Sequence, residues 1–176
     1  MIVELKVDDY FQRVHGAVLE GIAFWSFPQD TYEFLPELSE GKCLFPEVVE
    51  LAFLDASPLY LSWMQAGHDY HLGVTAERFW GKFSLDRICM REVDLVPRLV
   101  GSHLTSMRAY TSPQVTEKRI VAIEHNFTCA RGEVVDFWVA TGTASNRRLL
   151  GDEVIASISR PPDMAELLSV IELGAN

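Results

Sequence analysis

The chain has 176 residues, 48% of them hydrophobic, which suits one domain with a substantial core or two small half-domains sharing one, and argues against disorder. Its 25 acidic residues outnumber 15 basic ones for a formal net charge of −10, which disfavours nucleic-acid phosphates and favours a basic partner. No apolar run approaches the roughly 18 residues of a membrane span, and Glu4 and Lys6 interrupt the stretch where a signal peptide would be apolar, so a cytoplasmic protein with no membrane role is expected.

Ile2 to Val7 alternates and predicts an edge strand, and Asp8 to Val14 predicts a short helix with Asp8 or Asp9 as its cap, ended by Gly16. Ala17 to Phe27 is apolar on both parities, as in a strand covered on both faces, and Pro28-Gln29-Asp30 turns the chain. A loop-like segment follows from Thr31 to Pro46. Glu47 to Leu54 and Leu59 to Trp63 then read as a hairpin around Asp55-Ala56-Ser57-Pro58, and Gly67 marks a loop. Ser102 to Thr111, Arg119 to Phe127, Val134 to Ala140 and Glu153 to Ser159 predict further strands. Beyond Pro161-Pro162, Asp163 to Leu173 predicts an amphipathic C-terminal helix.

Residues 9–31 and 94–116 read as two copies of one segment at a constant offset of 85. Asp9/Asp94, Arg13/Arg98, Gly16/Gly101, Leu19/Leu104, Pro28/Pro113, Gln29/Gln114 and Thr31/Thr116 are identical, seven matches in 23 ungapped positions, where about one or two are expected by chance. Aligning Glu50 and Phe53 with Glu124 and Phe127 needs an offset of 74, so the second copy lacks 11 residues of the acidic loop. The expected fold is therefore α+β: a single domain over 1–176, mostly antiparallel β, with repeats near 9–88 and 94–160 as two pseudo-symmetric halves and a few short helices, the C-terminal one included. A lone half would leave one sheet face wet, so the halves either pack together or share one sheet.

No catalytic motif stands out. His68 and His71 lack the i, i+4 relation of a helical metal pair; Glu77 would be a neighbouring ligand, but a solvated loop explains them better, and neither metal nor cofactor is expected. There is no GxSxG elbow, Ser102 and His103 are strand neighbours facing opposite sides, and the glycines are isolated. Cys43, Cys89 and Cys129 are too few and too widely spaced for a disulfide framework or a zinc pattern, so buried thiols are expected. The paired Asp9/Arg13 and Asp94/Arg98 need only an ion pair or a cap. Trp25, Trp63, Trp80 and Trp138 read as core, although a two-sheet fold can leave an aromatic cleft.

Charge is uneven: residues 1–60 hold 11 acids against 3 bases, residues 61–150 hold 9 against 11, and residues 151–176 hold 5 against 1. The acidic-aromatic stretch from Asp30 to Glu50 is a solvated loop on the plain reading. It can also set aromatic anchors and carboxylates against a basic surface, and Asp30, Glu33, Glu37, Glu40 and Glu47 are its candidate partner-binding residues.

The stretches ELAFLDASPLYLSW, RLVGSHLTSMRAYT and IVAIEHNFTCARGEVVDFWVA resemble pieces of small bacterial immunity-type proteins, which neutralise a cognate toxin. The resemblance covers about half the chain and carries no functional residue across. It implies a non-enzymatic inhibitor that occludes a basic enzyme, a nuclease being one example. The competing expectation is a small-ligand protein or enzyme with a cleft between the halves, lined by Trp63, Tyr70, His71 and Trp138; a purely structural oligomer subunit is the third.

Overall fold

A computed structural model of the chain describes residues 3–27, 43–44, 46–78, 80, 85–87, 99–113, 115, 119–143, 148–149, 153–158 and 169–174. The one helix among them, α1 (Val7–Val14), buries Tyr10, Phe11 and Val14 on one face, as a 3.6-residue period requires. Asp8 and Asp9 stand in its first turn and Arg13 in its last, in keeping with the helix dipole. The expected aspartate cap is not formed: the cap residue is Lys6, and no side chain bonds the free amides there.

Two antiparallel sheets follow. The first is a meander of β1 (Leu19–Ser26), β3 (Val48–Phe53), β4 (Leu59–Ala66) and β5 (Asp69–Thr75), with β6 (Asp86–Arg87) beside β1. The second is a meander of β7 (His103–Thr111), β8 (Ile120–Thr128), β9 (Val134–Thr143) and β11 (Glu153–Ser157). β12 (Ser169–Gly174) pairs with β7, β2 (Cys43–Leu44) with β11, and β10 (Arg148–Leu149) with β9. Alternation along each strand turns one face inward, so Ile22, Phe24, Val49 and Leu51 of the first sheet meet Met107, Ile123, Phe137 and Val139 of the second in one core.

The two meanders share their register. Leu19 pairs with Phe53 and Leu104 with Phe127; Ile22 pairs with Leu51 and Met107 with His125; an irregularity follows Leu19 and, likewise, Leu104. The same offsets of 85 and 74 relate every one of these pairs. Where the strands enter, the halves exchange backbone hydrogen bonds. Gly16 N–H donates to Leu104 O and Gly101 N–H to Leu19 O, both at 2.8 Å, while Leu19 N–H donates to Ser102 O at 2.8 Å and Leu104 N–H to Ala17 O at 3.1 Å. Exchanging each residue for its counterpart 85 positions away, forward in the first half and back in the second, turns one bond of each pair into the other, with Val18 bridged to His103 at the centre. Gly16 and Gly101 take the same left-handed backbone, φ 75° and 85°.

Three expectations need correcting. Ser169–Gly174, the end of the predicted C-terminal helix, is a strand paired residue by residue with β7 from Thr111 to Ser106; residues 161–168 lie outside those described. The segment Val170-Ile171 is β-branched, and an open strand edge decides its conformation over helical periodicity. The predicted N-terminal edge strand reduces to Glu4 bridged to Thr75, with Leu5 N–H donating to Val74 O at 2.7 Å before α1 begins at Val7. The loop after Gly67 is only a turn, because Leu72 and Val74 oppose Trp63 and Leu61 as β5. No helix among the described residues is long and apolar enough to cross a membrane.

Candidate functional site

On the face of the first sheet turned away from the core, Trp80 lies against Trp25 (ring centroids 5.3 Å apart) and edge-on to Tyr60 (5.0 Å), with Val48 beneath. Arg78, two residues earlier in the chain, spreads its guanidinium 4.7 Å over the Trp25 ring and 5.7 Å from that of Trp80. Its Nη2 stands 3.7 Å from Glu50 Oε2, the oxygen that also accepts the Trp25 indole N–H at 2.8 Å. Arg78 is half exposed, so this arrangement contributes about 0.5–1 kcal/mol at most.

Beside it a groove of about 600 Å³ opens in the sheet. Its origin is a mismatch of strand lengths: the last pair between β3 and β4 is Val48 with Ser62, whereas β4 continues to Ala66 with β5 alongside and no other strand among the described residues. The walls include Phe27, Trp63, Met64 and Trp80, and the charged lining residues among those described are Glu4 and Glu47. Three bonds to described residues fix Glu47. Its Oε2 accepts the Trp63 indole N–H at 2.8 Å, its carbonyl accepts Ser62 Oγ–H at 2.9 Å, and its N–H donates to Trp25 O at 2.9 Å. Tyr70 meets Trp63 edge-on at 5.9 Å. On the far side Glu4 Oε2 lies 3.3 Å from His71 Nε2, which Arg119 Nη1 also approaches at 3.5 Å, and the buried His71 Nδ1 has no partner.

The corresponding face of the second sheet is closed by its own bonds. Tyr110 Oη donates to Glu124 Oε2 at 2.6 Å, Asn126 Nδ2 donates to Glu124 Oε1 at 3.0 Å and to Asp136 Oδ1 at 2.7 Å, and Trp138 lies over Tyr110 at 5.3 Å. In the core between the sheets, Tyr10 Oη donates to His125 Nε2 at 2.6 Å and His125 Nδ1–H donates to Phe137 O at 3.0 Å. Burial pulls His125 down to about 4, so the ring is neutral, and pushes the Tyr10 phenol up. Both side chains are shut off from solvent, so they act as scaffold.

Of the five residues expected to meet a partner, Glu47 is in the groove wall; Asp30, Glu33, Glu37 and Glu40 lie outside the described residues. Of the residues expected to line a cleft, Trp63 lines the groove, Tyr70 packs behind it, His71 supports Glu4, and Trp138 belongs to the other sheet. His68 is exposed on the β4–β5 turn while His71 is buried, and no group of three or more His, Cys, Asp or Glu suited to a metal occurs among the described residues. Ser102 is buried with its hydroxyl on Cys129 Sγ at 3.1 Å, and exposed His103 Nδ1 bonds Gly16 O at 3.1 Å. Asp9 and Arg13, both described, form no ion pair.

Sequence reasoning missed Phe27, Glu4 and the Trp25–Arg78–Glu50 arrangement. The alternation of Arg78 and Trp80 just past a strand was the available signal, but their partners are remote in the chain. Compared with protein-family models, curated proteins and solved structures, the chain gives no match in any of the three.

Proposed function

We propose that the chain is a non-enzymatic, cytoplasmic binding protein of the immunity type, which neutralises a basic partner protein by occlusion. One observation carries this reading: Phe27 and Glu47, which bracket in sequence the segment bearing Asp30, Glu33, Glu37 and Glu40, are both walls of the aromatic groove. Carboxylates joined to a pocket of rigid aromatics combine electrostatic steering with an anchor site, the two ingredients of a tight, specific interface. The excess of 11 acids over 3 bases in residues 1–60 supports the sign of the partner's charge. It also argues against nucleic acid and an anionic membrane as partners.

The scaffold is read as an internal duplication, supported by the shared registers and by the backbone bonds that exchanging residues 85 positions apart interconverts. A second reading, a small-ligand protein or enzyme, is favoured by the groove's size and mostly apolar wall.

Co-expression with the product of the adjacent open reading frame tests the leading reading. A toxic basic product that is silenced and co-purifies supports it; a harmless product, or one that forms no complex, sinks it. Ligand-dependent rises in melting temperature without any protein partner would favour the second.

A further inference from the structure

Resting on that docking reading, we infer that the groove between Trp63 and Trp80 is a slot for one arginine side chain of the partner, its guanidinium held by the Glu4 and Glu47 carboxylates. The chain already shows the chemistry on the other side of Trp80. There its own Arg78 lies on the Trp25 and Trp80 rings with the Glu50 carboxylate 3.7 Å away, and Trp25 bonds that carboxylate through its indole N–H.

The groove repeats these parts. Trp63 donates its indole N–H to the Glu47 carboxylate at 2.8 Å, as Trp25 does to Glu50, and Trp80 is common to both places. A tryptophan whose N–H is committed to a carboxylate keeps its negative ring face available for a cation, while the carboxylate adds charge beside it. The groove differs from the Arg78 site in being open and roomy, about 600 Å³, and its described charged residues are both acidic. Glu4, with its side chain 39% exposed, reaches the groove from the opposite side and is held by His71. A planar guanidinium matches stacked aromatics and a carboxylate better than an ammonium does, which selects arginine over lysine. The volume beyond the side chain accommodates flanking apolar residues against Met64 and Phe27.

The test uses the full chain and two blocked pentapeptides, Gly-Leu-Arg-Leu-Gly and the same sequence with citrulline, which keeps the shape of arginine and removes its charge. Binding is read from the Trp63 and Trp80 indole N–H resonances. The arginine peptide is expected to saturate, and the citrulline peptide to bind at least about tenfold more weakly. Glu4→Gln, a partly exposed change, is expected to weaken the arginine peptide about threefold, with the unfolding midpoint checked alongside. Equal binding of the two peptides, or no saturable shift with arginine, overturns the slot. If a cognate complex forms but saturating arginine peptide leaves it intact, the slot is overturned and the docking reading stands. If no basic partner binds, the docking reading falls, and the two peptides still decide the slot by themselves.

Discussion

Glu50 and Glu124 occupy the same place in the two sheets. Glu50 is paired with Ala23 and Tyr60 and takes the N–H of Trp25; Glu124 is paired with Arg108 and Trp138 and takes the O–H of Tyr110. An arginine stands 3.7 Å from each carboxylate, Arg78 for the first and Arg108 for the second. The same acid, on the face of each sheet turned away from the core, thus serves two surroundings, an open one beside the groove and a closed one in the second sheet.

That difference predicts unequal costs. Replacing Glu124 with Leu removes the buried acceptor of the Tyr110 hydroxyl and of one Asn126 contact, and is expected to cost about 2–4 kcal/mol. Glu50→Leu should cost about 1 kcal/mol, since Arg78 and the Trp25 indole lie nearer to water. Urea unfolding midpoints at unchanged m-value measure both, and equal losses would contradict the contrast.

Stability should fall on acidification because of His125. Its folded value of about 4 lies below the ordinary 6.5, so the unfolded chain binds the extra proton first. The full contribution is present above pH 6.5 and is lost progressively as pH falls toward 4, amounting to about 3 kcal/mol in total. Leu51 fills the equivalent place in the first sheet, so the double change Tyr10→Phe with His125→Leu should flatten this part of the pH profile without leaving an orphaned hydroxyl. Melting temperatures at pH 5 and pH 7.5 for both proteins check it.

Gly16→Ala and Gly101→Ala should destabilise by similar amounts, about 1 kcal/mol each. A Cβ at either position meets nothing within 4 Å, so the cost comes from φ of 75° and 85° and not from crowding. Chemical denaturation of the two variants is the measurement; a loss at one site only would break the equivalence.

Gly73 behaves differently. A Cβ there runs into the Met64 side chain as far back as Cγ, at 2.8 Å, within a groove wall. Gly73→Ala is expected to cost about 1–2 kcal/mol, and adding Met64→Ala should recover part of that loss. A double-mutant cycle with no coupling would show that Met64 simply swings aside.

Much of the strand pattern was legible in the chain, since β1, β3, β4, β7, β8 and β9 follow from alternating or continuous apolar runs ended by turn residues. The offset between Gly16 and Gly101 was legible too, because a left-handed backbone selects glycine at both places. β5 was hidden by His68-Asp69-Tyr70-His71, a polar run of which Asp69, Tyr70 and His71 take their conformation from Ala66, Gln65 and Met64 on the neighbouring strand. β12 was hidden by a stretch whose period fits a helix until β7 offers an edge. The groove could not be read from any local pattern. It depends on β4 outrunning β3 and on Trp80, Phe27 and Glu4 arriving from separate parts of the chain.

The reciprocal bonds between Gly16 and Leu104 and between Leu19 and Gly101 mean that neither half finishes its own strand entrance. Cut the polypeptide midway and each fragment bares the donors and acceptors that a sibling of itself could satisfy. Fragments kept apart are thereby predisposed to self-association, and fragments mixed together to reassembly, a behaviour written into four backbone hydrogen bonds and not into any side chain.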